Sequence, residues 1–315
     1  MSNISQSPYL WPFLDWSRIS SYFLVASSAV VAYDWILTLG QEVELVWEQR
    51  CTLMTVLYIC VRYIGILYCV VNMLWYLPLI SMTNTGCAIL WFILVSITVV
   101  VNAMLCAIIV TRIHAMYGRS KKMFIFLIIV LLALLIASGV MVLVASTDVS
   151  GVERVFSGTK LCAIVFVDID AVRLHGTAWI PTIVWEILAF CLAAWIVIKH
   201  FRELRQHGPP GSIIRDCFTV LIQSHMLYFV AFAAVSCLYL GPLSPELSSS
   251  SSVAGGIYFG ILNFAQPVQM FVLGPRLVLS VRDYHAKLLA KSDEAISITA
   301  ITFQEHRHLS TSSAV

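Results

Sequence analysis

Seven apolar stretches, each close to the length of a bilayer crossing, run along this chain and constrain its fold more than any motif does. A helix spanning about 30 Å of hydrocarbon at 1.5 Å per residue needs ~20 apolar residues. The runs predict spans at about 20–39, 52–76, 87–110, 123–145, 178–198, 217–240 and 253–274. Only helices and closed barrels satisfy every backbone polar group in lipid. Continuous runs such as Phe124 to Val144 lack the alternation of a barrel strand, so the spans are helices. With 60% of 315 residues hydrophobic and 11% charged, seven buried helices would leave a soluble fold almost no polar face. The expected fold is an all-α membrane protein, a seven-helix bundle. Residues 1–19 form an outer N-terminal segment, 20–274 the transmembrane domain and 275–315 a cytoplasmic tail.

Orientation follows from Lys and Arg, because basic loops resist translocation. With the N-terminus outside, the cytoplasmic side holds Arg50, then Arg112, Arg119, Lys121 and Lys122, then Lys199, Arg202, Arg205 and Arg215, then Arg276, Arg282, Lys287, Lys291 and Arg307. The outer side keeps only Arg18, Arg154, Lys160 and Arg173, and Arg62 lies within a span. Trp75, Tyr76, Trp91 and Trp179 are expected at the outer interface, where amphipathic rings settle. The first run lacks a basic n-region, contains Asp34 and is followed by the acidic stretch Gln41 to Glu48, so it reads as a retained span rather than a signal peptide. Asn3-Ile4-Ser5 is a glycosylation sequon on the outer side.

Of nine cysteines, Cys60, Cys69, Cys106, Cys191 and Cys237 fall inside spans, where a thiol behaves as a small apolar group. Cys87 opens the third span from outside and Cys162 lies in the longest outer loop, both facing an oxidising compartment. A disulfide between them would pin that loop across the mouth of the bundle.

A charge at the centre of a membrane helix costs roughly 2.5 to 3.5 kcal/mol on insertion scales, so each needs a partner or a purpose. Asp34 lies about five residues, ~7.5 Å, from the expected inner end of the first span, and Arg62 about ten residues, ~15 Å, up the second. Side chains lean toward their helix N-terminus, so the two converge as a structural ion pair. A ligand, ion or proton site is the alternative role, and snorkelling of Arg62 to water is another. Glu186, about eight residues into the fifth span, and His225, the histidine well inside a span, are the candidate ligand-binding residues. Their side chains diverge, so no direct pair is expected, and satisfied internal polar groups are the competing reading. Asn72, Asn102, Asn263 and Gln266 read as interhelical hydrogen-bonding glue.

Several chemistries lack their residues. The seventh span has no lysine for a retinal-type Schiff base, the spans offer one histidine for a zinc site, and no phosphate loop, HExxH or GxSxG motif occurs. Asp168, Asp170, Arg173 and His175 read as a solvated outer loop rather than a metal site. No cofactor, no metal and no nucleic-acid partner is expected, and no enzymatic activity. Leu277, Val278, Val281, Tyr284 and Leu288 form an apolar stripe among Arg276, Arg282, Lys287 and Lys291, a pattern that suits a helix lying on the anionic inner leaflet. Beyond it the tail turns polar and Ser/Thr-rich, with Ser310 to Ser313 as phosphorylation candidates.

Tyr33-Asp34-Trp35, Leu39 to Trp47 and Cys60-Val61-Arg62-Tyr63 resemble the N-terminal signature of a large family of unknown function, multi-span proteins abundant in mushroom-forming fungi. The resemblance continues through Thr111 to Arg119 and Gly274-Pro275-Arg276-Leu277, with Cys51 standing where such families often carry an aromatic residue. It implies a seven-helix membrane protein without an assigned activity. A looser likeness is to G-protein-coupled receptors, in span number, orientation and the Cys87 to Cys162 arrangement. Val110-Thr111-Arg112-Ile113 lacks the acidic residue that usually precedes that superfamily's arginine, and Asn263 and Pro267 replace its tighter Asn-Pro motif. This fold-level analogy is an association.

The leading expectation is a sensor of an extracellular small-molecule or peptide ligand, with a cytoplasmic signalling partner at the Arg112 to Lys122 and Lys199 to Arg215 loops. It would sit in the plasma membrane or a secretory-pathway membrane. The rival is a small-solute or proton transporter with Asp34, Arg62, Glu186 and His225 along a polar path, and a membrane-embedded enzyme is weakest.

Overall fold

The computed structural model describes residues 11–47, 52–77, 83–118, 120–147, 149–156, 159–166, 168–206, 228–241, 253–280, 282–283 and 286. Helix α1 (Trp11–Glu42) ends in a π-helical turn, Val43–Trp47, and α2 (Leu53–Tyr76), α3 (Asn84–Met116) and α4 (Lys121–Ala145) follow. A hairpin of β1 (Val149–Phe156) and β2 (Thr159–Phe166) leads to α5 (Ile169–Thr177) and α6 (Ile180–Gln206). Helix α7 (Tyr228–Leu238) falls within the expected sixth span. Helix α8 (Val253–Val268) passes through a π turn, Gln269–Leu273, and stays helical to Ser280.

Threonines start two of these helices. Thr52 Oγ1 accepts from Thr55 N at 3.3 Å while Thr55 Oγ1 accepts from Thr52 N at 3.2 Å, and Thr83 Oγ1 accepts from Gly86 N at 3.1 Å. Each satisfies an N-terminal amide that has no partner within its own helix. Pro267 removes a backbone donor inside α8, and the π turn follows directly. Prolines and π turns are recognised ways of re-aiming helical side chains.

Among the described residues, six stretches are long and apolar enough to cross a membrane: Arg18–Trp47, Leu53–Tyr76, Asn84–Met116, Lys121–Ala145, Asp170–Lys199 and Ala254–Ser280. The most apolar, in α4, is also the least buried, with 11% of its apolar stretch inside the protein against 44% for α2. Ile125, Ile129, Leu132, Ile136 and Leu143 point outward, while Asp34, Glu42, Arg62 and Glu186 are buried. Water would drive the reverse arrangement, so the surrounding medium is lipid. The chain is an integral membrane protein.

Helix α1 packs along α8, and α2 along α3. One core joins α2, α3 and the π turn of α8 around Tyr58, Leu105, Ile108 and Phe271. A second joins α3, α4, α6 and α7 around Ile109, Leu127, Trp185 and Phe229. Gly65 lets α2 approach α8, since a Cβ there would lie 2.6 Å from the Phe271 ring.

The longest expected outer loop is an ordered antiparallel hairpin, pairing Glu153 with Cys162 and Gly151 with Ile164. It is tied to the first turn of α3 by a Cys87–Cys162 disulfide with Cα atoms 5.5 Å apart. Asn84 Oδ1 also accepts from Glu153 N at 2.7 Å. Gly151 lies so close that a Cβ would meet Ala88 N at 2.5 Å and Asn84 O at 2.6 Å. These are backbone atoms and cannot swing aside. Gly151→Ala is expected to cost about 1–3 kcal/mol of hairpin docking. A variant that melts at the wild-type temperature and forms the disulfide to the same extent would show that the hairpin does not bear on α3.

Several expected boundaries move. The first span does not stop near residue 39: α1 runs on to Glu42, which is fully buried, because that carboxylate faces Arg62 rather than water. The last helix does not stop at 274. Leu277, Val278 and Leu279 are buried in the bundle core, so the apolar stripe begins as core and not as a surface helix on lipid. Val281, Tyr284 and Leu288, like Asn3 and the 217–227 part of the sixth span with His225, lie outside the described residues.

Candidate functional site

Two polar assemblies occupy the bundle, one near the hairpin and one near the opposite end, called here the tail end. The hairpin half holds a cavity of about 270 Å³ between α2, α3, α4, the α5–α6 junction and α8. Tyr68, Trp75, Tyr76, Trp91 and Trp179 wall it, with Asn72, Thr98, Asn102, Ser138, Thr182, Asn263 and Gln266 as polar points. A smaller chamber of about 30 Å³ shares Asn102, Trp179, Thr182 and Gln266 with it and ends at Glu186, Ser236, Tyr239 and Gln269.

The aromatic residues expected at the membrane interface therefore line the cavity. Trp91 packs edge-on against Phe166 of the hairpin at 6.2 Å between ring centroids, and Trp179 stacks on Tyr239 at 5.5 Å. A ring with one polar atom suits a wet cavity as well as an interface, and only helix rotation chooses between them. The residues expected as glue line the same space, and Asn102 Nδ2 also donates across to Thr182 Oγ1 at 3.2 Å.

The Asp168 to His175 segment is a helix, not a solvated loop. Asp168 caps it, Asp170 and Arg173 form an exposed pair at 4.0 Å, and His175 turns into the cavity beside Trp91 at 5.8 Å.

Glu186 is 8% exposed. Its Oε1 accepts from Gln269 Nε2 at 3.0 Å, whereas Oε2 has no hydrogen-bond partner among the described residues. Gln269 opens the π turn after Pro267, so the irregularity in α8 supplies the amide that orients this carboxylate.

At the tail end, Arg62 Nη1 donates to Asp34 Oδ2 at 2.7 Å. Its Nη2 donates to the Asp34 carbonyl at 3.2 Å and to Thr38 Oγ1, and its Nε lies 3.7 Å from Glu42 Oε2. Arg276 of α8 completes the group, its Nε donating to Asp34 Oδ1 at 2.5 Å. Two carboxylates and two guanidiniums balance. Just beyond, Arg282 donates to the Leu45 carbonyl at 2.9 Å and to Thr55 Oγ1 at 2.7 Å, capping the end of the first helix with a cation. The ion pair Asp34–Arg62 was expected from sequence. Glu42, Arg276 and Arg282 were not, since their flanks read as loop and tail.

Asp34, Thr38, Glu42, Leu45, Thr55 and Arg62 all fall in one stretch of two helices. Residues 22–67 match a family of unknown function, DUF6533. No curated protein matches the chain. The matched segment thus carries the acidic half of the cluster and one of its arginines, and α8 supplies Arg276 from outside the match. Asp34 and Arg62 hold α1 to α2, and Arg276 locks α8 onto both.

Proposed function

We propose that this is a receptor-like seven-helix sensor, N-terminus outside and tail cytoplasmic, that takes a small ligand from the hairpin side. The observation that carries this reading is the aromatic cavity in the hairpin half, adjoined by a smaller chamber that holds Glu186. Pockets of this kind, mostly apolar with a few placed polar groups, are the usual form of a small-molecule site. The disulfide supports placing the hairpin in an oxidising compartment, and Lys121, Lys122, Lys199 and Arg202 at the other end support a cytoplasmic face there. The span that brings the six to seven is the run containing the shorter apolar helix Tyr228–Leu238, sixth in chain order. A signalling partner would dock on the basic loops of the tail end, in the plasma membrane or a secretory-pathway membrane, and the protein is not an enzyme.

The transporter reading needs Asp34 and Arg62 on a moving path. Their engagement with Thr38, Glu42 and Arg276 favours a latch instead, because every exchange of partner would expose a buried charge. The test places a cysteine at Thr98 in the cavity, in a chain whose other cysteines except Cys87 and Cys162 are alanine. A charged methanethiosulfonate is applied to sealed membrane vesicles of each orientation. Modification from the hairpin face alone is expected. Modification from both faces would favour transport, and modification from neither would remove the ligand cavity.

A further inference from the structure

We infer that the ligand of this cavity is a small amphipathic organic cation, with an ammonium group in the inner chamber at Glu186 and an apolar or aromatic body among Trp75, Trp91 and Trp179. The inference rests on the ligand-cavity reading above and adds the chemical class.

Five observations support it. Glu186 is more than nine-tenths buried, lines the inner chamber, and leaves Oε2 without a hydrogen-bond partner among the described residues. A buried carboxylate with an unused oxygen is costly, and a donor of positive charge relieves that cost most fully. Tyr239, lining the same chamber, has a buried hydroxyl that is also unpartnered among the described residues. A primary ammonium has three N–H donors, so Oε2 and the phenol oxygen can each accept one, and Asn102 and Gln266 line the same chamber as acceptors for the third.

Charge excludes the opposite class. No lysine or arginine lines either chamber among the described residues, so no fixed positive charge there would receive an anion, whereas Glu186 supplies a carboxylate for a cation. The walls favour a cation, because the faces of tryptophan and tyrosine rings attract positive charge. Size completes the description. A chamber of about 30 Å³ holds one ammonium head, given that a single water needs ~10–15 Å³ on the same scale. The larger space of about 270 Å³ takes the body.

The experiment uses the full chain in lipid nanodiscs and three probes of similar shape and different charge: 2-phenylethylammonium, 2-phenylethanol and 3-phenylpropionate. Binding is measured by titration calorimetry, with displacement by a series of alkyl- and arylammonium ions. The ammonium is expected to bind at least about 10-fold tighter than the alcohol. Glu186→Gln, which keeps an acceptor for Gln269, should weaken only the ammonium, by about 10- to 100-fold for a charge-assisted bond. Tyr239→Phe should weaken it several-fold, and the comparison among the three probes in the unaltered protein needs no variant to fold. Equal binding of ammonium and alcohol would overturn the cationic class and leave the cavity as a ligand site. If no probe and no ammonium of the series binds, both the class and the cavity reading fall. Binding that survives Thr98→Trp, which fills the cavity, would place the ammonium elsewhere and overturn the assignment.

Discussion

Arg62→Met is expected to destabilise the bundle by about 3–5 kcal/mol, because it strips the cation from carboxylates that have no route to water. Asp34 is 2% exposed and Glu42 is fully buried. Asp34 would retain Arg276 at 2.5 Å, but Glu42 would lose the Arg62 guanidinium at 3.7 Å. Methionine replaces the arginine's length without its five donors, so the Thr38 hydroxyl oxygen loses its donor as well, while the Asp34 carbonyl keeps the Thr38 hydroxyl at 2.8 Å. Arg62→Lys should recover only part of the loss, since an ammonium cannot serve Asp34, Thr38 and Glu42 from one planar fork. The check is a thermal melt in detergent or nanodiscs together with the yield of monodisperse protein. Asp34→Asn combined with Arg62→Met should cost less than the two single changes added, the signature of direct coupling. An Arg62→Met protein with unchanged melting and yield would show that the cluster contributes nothing net to the fold.

The second large effect is on the hairpin. Cys162→Ser is expected to cost about 2–4 kcal/mol, the usual contribution of a disulfide closing a long loop. The closed segment here has a sequence separation of 75. Membrane insertion already restricts the intervening helix, which places the expected loss in that range rather than above it. The bond also holds Phe166 against Trp91 and the hairpin across the first turn of α3, so the consequence extends to the cavity wall. In the serine variant, amide exchange across β1 and β2 should rise and the cavity should label faster from the hairpin side. Reduction of the unaltered protein should reproduce both changes. Identical exchange and melting with the bond intact and broken would mean that Gly151 and Asn84 alone hold the hairpin.

The two assemblies were not equally legible. Asp34 and Arg62 could be paired from sequence because each sits at a definable depth on adjacent antiparallel helices, where side-chain lean makes them converge. Glu42 could not, because Gly40-Gln41-Glu42 has the composition of a loop. Burial beside Arg62 overrides that local signal and keeps the helix going to Glu42 and its π turn to Trp47. Arg276 is separated from Asp34 by 242 positions. Its flank reads as the start of a tail, and nothing local marks it as a partner. Glu186 was visible as a carboxylate in an apolar run, whereas its engagement by Gln269 depends on Pro267 and the π turn that rotates α8.

Sequence by itself determined the medium, the helical class, the approximate place of most spans and the need for partners at the charges within them. These are properties of single segments, because the bilayer acts on each run separately through length and apolarity. Tertiary structure alone decided that Trp75, Tyr76, Trp91 and Trp179 line a cavity, that the segment after α4 is a docked hairpin, and that α8 closes the charge cluster begun by α1 and α2. Those outcomes depend on how each helix is rotated about its axis. That rotation is set jointly by contacts between segments far apart in the chain, where short-range pattern carries no information.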